Sequence, residues 1–559
     1  MLSLVVPLTE ASKQSGSRTA KRATSKKSGK RVTKKKSTRR RPTARRMSRK
    51  ARLRWLRQLA YARAVQHQSK IQNSLTEAWS AAHTAPEFSR PAAAMSGPSS
   101  GEAEPAAMSV PREGTPAAAA AKPVDPNAAD AADVVLLNPL VAAFQESLEA
   151  RGHVADNQGF IVETMNGEVL ADHNADVPFN PASVVKIATS LVAIARHGPE
   201  YRFRTVVYTD GSLDAATQTL NGSIYVVGSG DPAFCYENAM LLADQLNQSG
   251  IRTVNGNLVV QGQFYFNFSA ARDVSAKSFL KTLSPQSWTK EMTNAYPRFL
   301  AMKAAGDSRI AGATEQDSAG SERTRPRVVS PMTNGRPSLT ITGETITDGS
   351  INTSGLHMLA VHTSLPLVRV LKVLNDYSDN WMAAAIGQLV GGPDSVEQFL
   401  QTAVGLKSEE TRIVTASGLG TNLISPRGTL QILRKLIAYL EREGLGIHDL
   451  LPVAGVDSGT LGRRFTDQFR GSVVAKTGTL GSQGVSALAG VAYTRNKGPL
   501  LFVIYNRGRY IPSFRVAQDE TIRKVITLYG GPAPLRYSGL SGLRLVGGGG
   551  QVPSLSVQK

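Results

Sequence analysis

The chain has almost no cysteine. Of its 559 residues only Cys235 carries a thiol, which excludes an internal disulfide and a cysteine-built metal cluster. Long apolar runs are missing too, since none approaches the ~18 residues a membrane span needs. The start lacks the order of a secretory signal: Met1–Leu8 is apolar but short, and the basic run follows it instead of leading. The pair Arg45-Arg46 has no apolar stretch behind it, so no export signal is expected. There is no His-Glu-x-x-His, and the eight histidines form no spaced cluster. No cofactor and no metal are therefore expected.

Acidic residues are scarce in one place. Residues 1–70 hold 23 of the 65 lysines and arginines and a single acid, Glu10, which leaves 42 of each sign beyond them. The net charge of +22 thus belongs to one arm, and the rest of the chain is balanced. Such a block repels itself and stays unfolded. Residues 1–83 are expected to be a basic arm, either a solvated tail or a contact for anionic lipid, wall polymer or nucleic acid. Residues 84–132, rich in Ala, Pro and Ser, are expected to be a linker.

Order is expected from about Val134. Asn138–Arg151 has helical apolar spacing. Gly159–Thr164 and Glu168–Asp172 read as strands joined around Asn166-Gly167, a hairpin signal. From 201 to 350 short strands and turns predominate (Phe203–Tyr208, Gly222–Val227, Asn257–Phe266, Pro337–Ile341), with Ala304–Arg325 as an exposed loop. This predicts a mainly β insertion. Helices return at Leu365–Asn375, Trp381–Val390, Val396–Val404 and Pro426–Glu443, the last with Ser425 as N-cap. Three consecutive strands follow at Val473–Thr479, Ser486–Tyr493 and Leu500–Tyr505, then a closing helix at Val516–Leu528. Residues 531–559 are expected to be a flexible tail. The fold class expected is α+β: an antiparallel sheet flanked by helices, built from 133–200 plus 351–530, with the β insertion at 201–350 between its parts.

Within this frame, Ser183 precedes an apolar helix (Val184, Val185, Ile187, Ala188, Leu191, Val192, Ile194) and follows Pro181. Lys186, three residues on, returns to the same helix face one turn away. A hydroxyl at a helix start with an amine in reach is a nucleophile with a candidate base. Ser-x-x-Lys alone is weak evidence, because it recurs at Ser278–Lys281 and Ser287–Lys290. Support comes from Ser378-Asp379-Asn380, in a helix-rich stretch, and from Lys476-Thr477-Gly478-Thr479, which ends an apolar strand. Three such motifs in this order form the set of serine β-lactamases and penicillin-binding proteins. Two decoys lack the right context. Ser350–Asn352 lies in a polar turn, and the Gly-x-Ser-x-Gly at Gly97–Gly101 lies in the linker.

On these motifs the chain resembles the low-molecular-mass class C penicillin-binding proteins, D-alanyl-D-alanine carboxypeptidases with DD-endopeptidase activity. Gly230-Asp231-Pro232, Ala416-Ser417-Gly418-Leu419 and Ala454–Leu461 extend the resemblance over Val134–Tyr529. It implies a DD-peptidase-like domain in which Ser183 attacks the carbonyl between two D-alanines, Lys186 takes its proton and Ser378 relays that proton to the leaving amine. Asn380 would position the substrate amide, and Asp379 would be structural. Lys476 would supply positive potential, and Thr477 and Thr479 would bind the terminal carboxylate. Gly478 lies between them, and the N–H groups of Ser183 and Thr479 would form the oxyanion hole. The resemblance implies peptidoglycan stem peptides as substrate, β-lactams as inhibitors and an extracytoplasmic location. The chain departs from the family at Ala383-Ala384-Ala385, where a Glu is usual. At Gln263–Asn267 it lacks the aspartate associated with the diamino acid's amine. Alternatives are an esterase or β-lactamase on the same scaffold, or a catalytically silent protein that binds wall or polyanion through its arm.

Overall fold

Strands that read as near-continuous apolar runs imply a sheet covered on both faces, and the late strands, a few polar residues such as Lys476 apart, have that pattern. In the computed structural model, which describes residues 138–310, 335–347, 349 and 352–537, they form three neighbouring strands of a five-stranded antiparallel sheet. Its strands are β1 (Gly159–Thr164), β2 (Val169–His173), β3 (Val473–Leu480), β4 (Val485–Thr494) and β5 (Gly498–Arg507), in the order β3-β4-β5-β1-β2. The helices around it are α1 (Pro139–Glu149), α2 (Lys186–His197), α3 (Leu367–Tyr377), α4 (Asn380–Leu389), α5 (Pro426–Arg442) and α6 (Ile511–Leu528). On one face Phe144 and Leu148 of α1 and Phe514, Ile522 and Val525 of α6 share a core with Phe160, Val162, Val473, Ala475, Leu488 and Phe502. On the other face α5 packs, and its Thr429 hydroxyl lies 2.6 Å from the hydroxyl of the buried Tyr505. Ser425 caps α5 by accepting from the Gly428 N–H at 3.0 Å.

The strand carrying Lys476 is at the sheet edge. The outer side of its first half is covered: the Ala475 N–H donates to the Pro452 carbonyl at 3.1 Å, and Val453 bridges Val474. By strand alternation the N–H groups of Thr477 and Thr479 point to the same outer side, beyond that cover.

The interval 201–350 has its own core and holds helices as well as the expected strands. Thr345–Ile346, Leu258–Gln263, Ile224–Ser229, Arg204–Thr209 and His357–Thr363 form one sheet in that order, so its last strand lies beyond Ser350. A smaller four-stranded sheet accompanies it. The helices Tyr236–Gln248 and Arg272–Leu283 pack on the larger sheet around a cluster of Phe234, Phe264, Phe266 and Phe279, and Lys290–Ile310 packs in turn on Tyr236–Gln248. The sequence carries a signal for the first helix, because Ala239, Leu242, Ala243 and Leu246 recur at helical spacing. Of the loop expected at Ala304–Arg325, residues 304–310 complete the third helix, and the rest lies outside the described residues.

The tail also differs from expectation in its first part. Pro532 bridges Thr494, the Ala533 N–H donates to the Tyr493 carbonyl at 3.1 Å, and the Leu535 N–H to the Gly471 carbonyl at 3.0 Å. Tyr537 then lies 5.4 Å, ring to ring, from His448. Two prolines keep the segment extended, so a linker-like composition here serves as a strap over the sheet's end. The basic arm, the linker and residues 538–559 lie outside the described residues. Among the described residues no helix is long and apolar enough to cross a membrane.

Candidate active site

Two serines in this fold sit on, or directly after, backbone that side chains seldom adopt. The chain enters the first through Pro181 and Ala182, with Ala182 at φ 47°. It then makes a 3₁₀ turn, Ala182–Val185, that runs directly into α2. Asn180 holds this entry: its Oδ1 accepts from the Ala182 N–H at 3.0 Å, and its amide donates to the Gly420 carbonyl at 2.9 Å and to Gln483 at 2.8 Å. Ser183, half-buried in that turn, presents its hydroxyl to the cleft. The second serine, Ser378, is the left-handed C-cap of α3 at φ 55°, ψ 41°. Strain of this kind persists where surrounding contacts enforce it, and it gathers at functional sites.

The two lysines are the next layer. Lys186 has no exposed surface, and its amine lies 2.9 Å from Ser183 Oγ. It donates to Asn380 Oδ1 at 2.7 Å and to the Ser417 carbonyl oxygen. A neutral amine has two N–H groups and one lone pair. With both hydrogens placed on Asn380 and Ser417, the lone pair faces the serine hydroxyl. Burial brings the Lys186 amine down to about 7, with the Asp379 carboxylate acting in the opposite sense. The neutral, proton-accepting form is therefore populated near neutral pH. At Ser278–Lys281 and Ser287–Lys290 the lysines are exposed, so the repeated spacing lacks this environment.

Lys476, also without exposed surface, lies 2.9 Å from Ser378 Oγ and donates to its neighbour's carbonyl, Thr477 O, at 2.7 Å. Burial, and then the nearby Lys186, hold it well below the ordinary lysine range, against the pull of Asp376. Asp379 caps α4 by accepting from the Met382 N–H at 2.9 Å. Val473 and Ala475 point into the core under α1 and α6, so alternation sends Lys476 and Gly478 to the Ser183 side. A Cβ on Gly478 would lie 2.5 Å from the Pro181 carbonyl oxygen, which is how closely strand and nucleophile turn meet. Thr477 and Thr479 flank this contact at the open edge. All eight candidate residues thus converge on one cleft.

Sequence reasoning noticed the Ala416–Leu419 turn only as a resemblance. Here it supplies the Ser417 carbonyl to Lys186 and packs under Ser183, held by the Thr189 hydroxyl donating to Ala416 O at 2.7 Å. Gly418 has φ +88°, and a Cβ there would come 2.1 Å from the Ala182 carbonyl oxygen and 2.8 Å from the Ser183 nitrogen. We expect Gly418→Ala to displace the nucleophile turn and slow penicillin acylation on the order of 100-fold, the usual cost of a misplacement near 1 Å. Stopped-flow acylation kinetics on the folded variant check this, and an unchanged rate would refute it.

The insertion also touches the helix that carries Asn380. The Tyr265 ring meets Trp381, next to Asn380, edge to face at 5.0 Å between centroids. Asp231, in the Gly230-Asp231-Pro232 turn, is buried, accepts from the Ala233 N–H at 2.8 Å and is raised by burial to about 7. Among the described residues no group of three or more His, Cys, Asp and Glu is placed to hold a metal ion.

The sequence profile of the D-Ala-D-Ala carboxypeptidase 3 (S13) family matches residues 140–282 and 338–526. Among curated relatives, carboxypeptidase Rv3627c of Mycobacterium tuberculosis is 28% identical over 399 residues, an alignment covering 66% of this chain and 79% of that one. The D-alanyl-D-alanine carboxypeptidase of Actinomadura sp. (strain R39) is 24% identical over 449 residues, covering 67% and 82%. Among solved structures, the penicillin G acylated Bd3459 predatory endopeptidase from Bdellovibrio bacteriovorus, in complex with immunity protein Bd3460, has a TM-score of 0.56 to this chain. At 22% identity it covers 69% of this chain and 96% of its own, a likeness of fold.

Proposed function

We infer the activity from one premise: this chain belongs to the D-Ala-D-Ala carboxypeptidase 3 (S13) family. It is a serine D-alanyl-D-alanine carboxypeptidase/endopeptidase that acts on peptidoglycan stem peptides through an acyl-enzyme, and β-lactams acylate it. The observation that carries the assignment of roles is the buried Lys186 amine 2.9 Å from Ser183 Oγ.

In this reading Ser183 Oγ attacks the carbonyl carbon of the penultimate D-alanine while its proton passes to neutral Lys186. The tetrahedral oxyanion sits between the N–H groups of Ser183 and Thr479. Losing one such donor typically costs ~10²–10³ in rate. As the C–N bond breaks, Ser378, hydrogen-bonded to Lys476, relays to the leaving amine the proton that Lys186 took, which leaves Lys186 neutral and the Ser378 hydroxyl intact. Water then cleaves the ester, which returns the Ser183 hydroxyl and frees the shortened peptide's carboxylate. Asn380 orients both Lys186 and the substrate amide, and the peptide backbone adds to the open edge of β3 as a further strand. Thr477, Gly478 and Thr479 line the position of the terminal carboxylate.

The substrate places the site of action outside the cytoplasm. The basic arm is proposed to hold the enzyme on an anionic surface. Binding to anionic vesicles and to DNA that weakens as salt rises is the expected signature, and flat titrations with both would leave the arm a solvated tail.

Purified protein is expected to release D-alanine from a pentapeptide ending in D-Ala-D-Ala and to be labelled covalently by fluorescent penicillin, both before and after removal of residues 1–130. Turnover of nitrocefin without D-alanine release would move the assignment to a β-lactamase. No labelling at high drug concentration would sink it.

A further inference from the structure

The Ser417 carbonyl that receives the Lys186 amine belongs to a loop held in shape by a side chain outside the three motifs. Thr411–Arg412 pairs antiparallel with Leu423–Ile424, and residues 413–422 form the loop between them. Asn422, its last residue, has no exposed surface. Its Oδ1 accepts from the Val414 N–H at 2.7 Å and from the Thr415 N–H at 3.0 Å, and its amide donates to the Leu419 carbonyl at 3.2 Å. Two backbone donors on one side and a backbone acceptor on the other decide which amide atom is the oxygen. Ser417 lies between the two stretches that Asn422 ties together. The Thr415 hydroxyl reinforces the tie, donating to the Leu419 carbonyl at 2.6 Å and accepting from the Gly418 N–H at 3.2 Å.

An alanine at 422 would leave two buried N–H groups without their acceptor. An aspartate could accept both bonds but could not donate to Leu419, and it would bring a charge into the loop. The consequence reaches the base. Asn380 Oδ1 and the Ser417 carbonyl accept from the Lys186 amine, and with both hydrogens so held the lone pair faces Ser183 Oγ. A carbonyl that drifts releases one hydrogen, and the lone pair is no longer kept on the serine. The same carbonyl turns the negative end of its dipole to the amine, so its place bears on the balance between ammonium and neutral amine. The other charges acting on this group are Asp379 of α4 and Lys476 of β3. At the outer end of the loop, Glu397 accepts from the Ile413 N–H at 2.6 Å.

We propose that Asn422 is a positioning residue for acylation: it holds the Ser417 carbonyl against the Lys186 amine and so aims the base at Ser183. The proposal rests on the serine DD-peptidase reading and adds a residue that acts on the base through a backbone carbonyl. Asn422 and Asn380 then divide the task, one fixing the backbone acceptor of the amine and the other serving as the side-chain acceptor.

The test uses the full chain as wild type, Asn422→Ala and Asn422→Asp, and follows acylation by fluorescent penicillin across pH, with thermal unfolding in parallel. Asn422→Ala is expected to acylate on the order of 100-fold more slowly at saturating penicillin. The penicillin concentration giving half the maximal rate should stay within a few-fold. The pH midpoint of the rate should move down, because the ammonium loses the carbonyl. Asn422→Asp keeps both accepted bonds, so its rate at high pH should return to within about tenfold of wild type, with the midpoint moved up by the added carboxylate. Opposite shifts of the midpoint are something a mere loss of stability does not produce. Midpoints that coincide in all three proteins, or rate losses no larger than the loss of folded protein, overturn the proposal while the enzyme assignment stands. Wild type that neither releases D-alanine nor is labelled by penicillin overturns both.

Discussion

Lys186→Met is expected to reduce acylation of Ser183 by penicillin on the order of 10⁴–10⁶-fold, the scale seen when one member of a nucleophile–base unit is removed. The substitution keeps volume and removes, among the described residues, the one group within hydrogen-bond distance of Ser183 Oγ besides the Ser417 carbonyl, which at 3.5 Å can only accept. Because the amine is lowered by burial to about 7, wild-type acylation should rise with pH through that region as the lysine loses its proton, then level off. A pH profile of the acylation rate checks the sign. A rate that falls on raising the pH from 6 to 8, or a variant still acylated within tenfold of wild type, would remove Lys186 as the base. The deletion leaves Asn380 Oδ1 and the Ser417 carbonyl without their shared donor, so thermal unfolding should be followed in parallel.

Ser183 and Lys186 are legible in the sequence because a helix turns three residues of spacing into proximity, and the apolar run announces the helix. Ser378 and Asn380 are not legible that way. They reach the cleft because Ser378 closes α3 in a left-handed conformation, and no spacing between positions 183 and 378 encodes that. The Ser417 contribution is a backbone carbonyl, which no residue letter carries. Arg515 of α6 reaches the Thr479 hydroxyl only because α6 packs back along the sheet. The sheet itself is legible, since strands buried on both faces write themselves as continuous apolar runs. The helices of the 201–350 interval are harder to see. Short apolar stretches between turns satisfy strand and helix templates alike, and tertiary packing decides between them.

Lys372 shows the same limit with a larger energetic consequence. In sequence, Lys372 and Asp376 are an ordinary i,i+4 pair of a surface helix, worth a few tenths of a kcal/mol. In the fold Lys372 has no exposed surface; its amine lies 3.0 Å from Asp376 and 2.6 Å from Asp457, and donates to the Leu451 carbonyl at 2.7 Å. Asp457 also accepts from the Val453 N–H at 2.8 Å, and the Thr460 N–H donates to the Asp376 carbonyl at 2.9 Å. The network thus ties the 451–460 segment to the end of α3, two residues before Ser378. Lys372→Met would leave two buried carboxylates facing each other without a cation, and breaking a buried ion cluster in this way costs about 3–5 kcal/mol. The loss should depend on pH. Burial already raises the Asp376 carboxyl to about 7, with Lys372 opposing the rise and Asp457 adding to it, so removing the lysine favours the protonated form further. A carboxyl raised above its unfolded value binds more protons in the native state between about pH 4 and 7, so its contribution to stability improves as pH falls through that window. Urea unfolding should therefore show a deficit at pH 8 that narrows at pH 5. A deficit below about 1 kcal/mol at pH 8, or one that does not change with pH, would mean that this cluster is hydrated and does not hold the Ser378 turn in place.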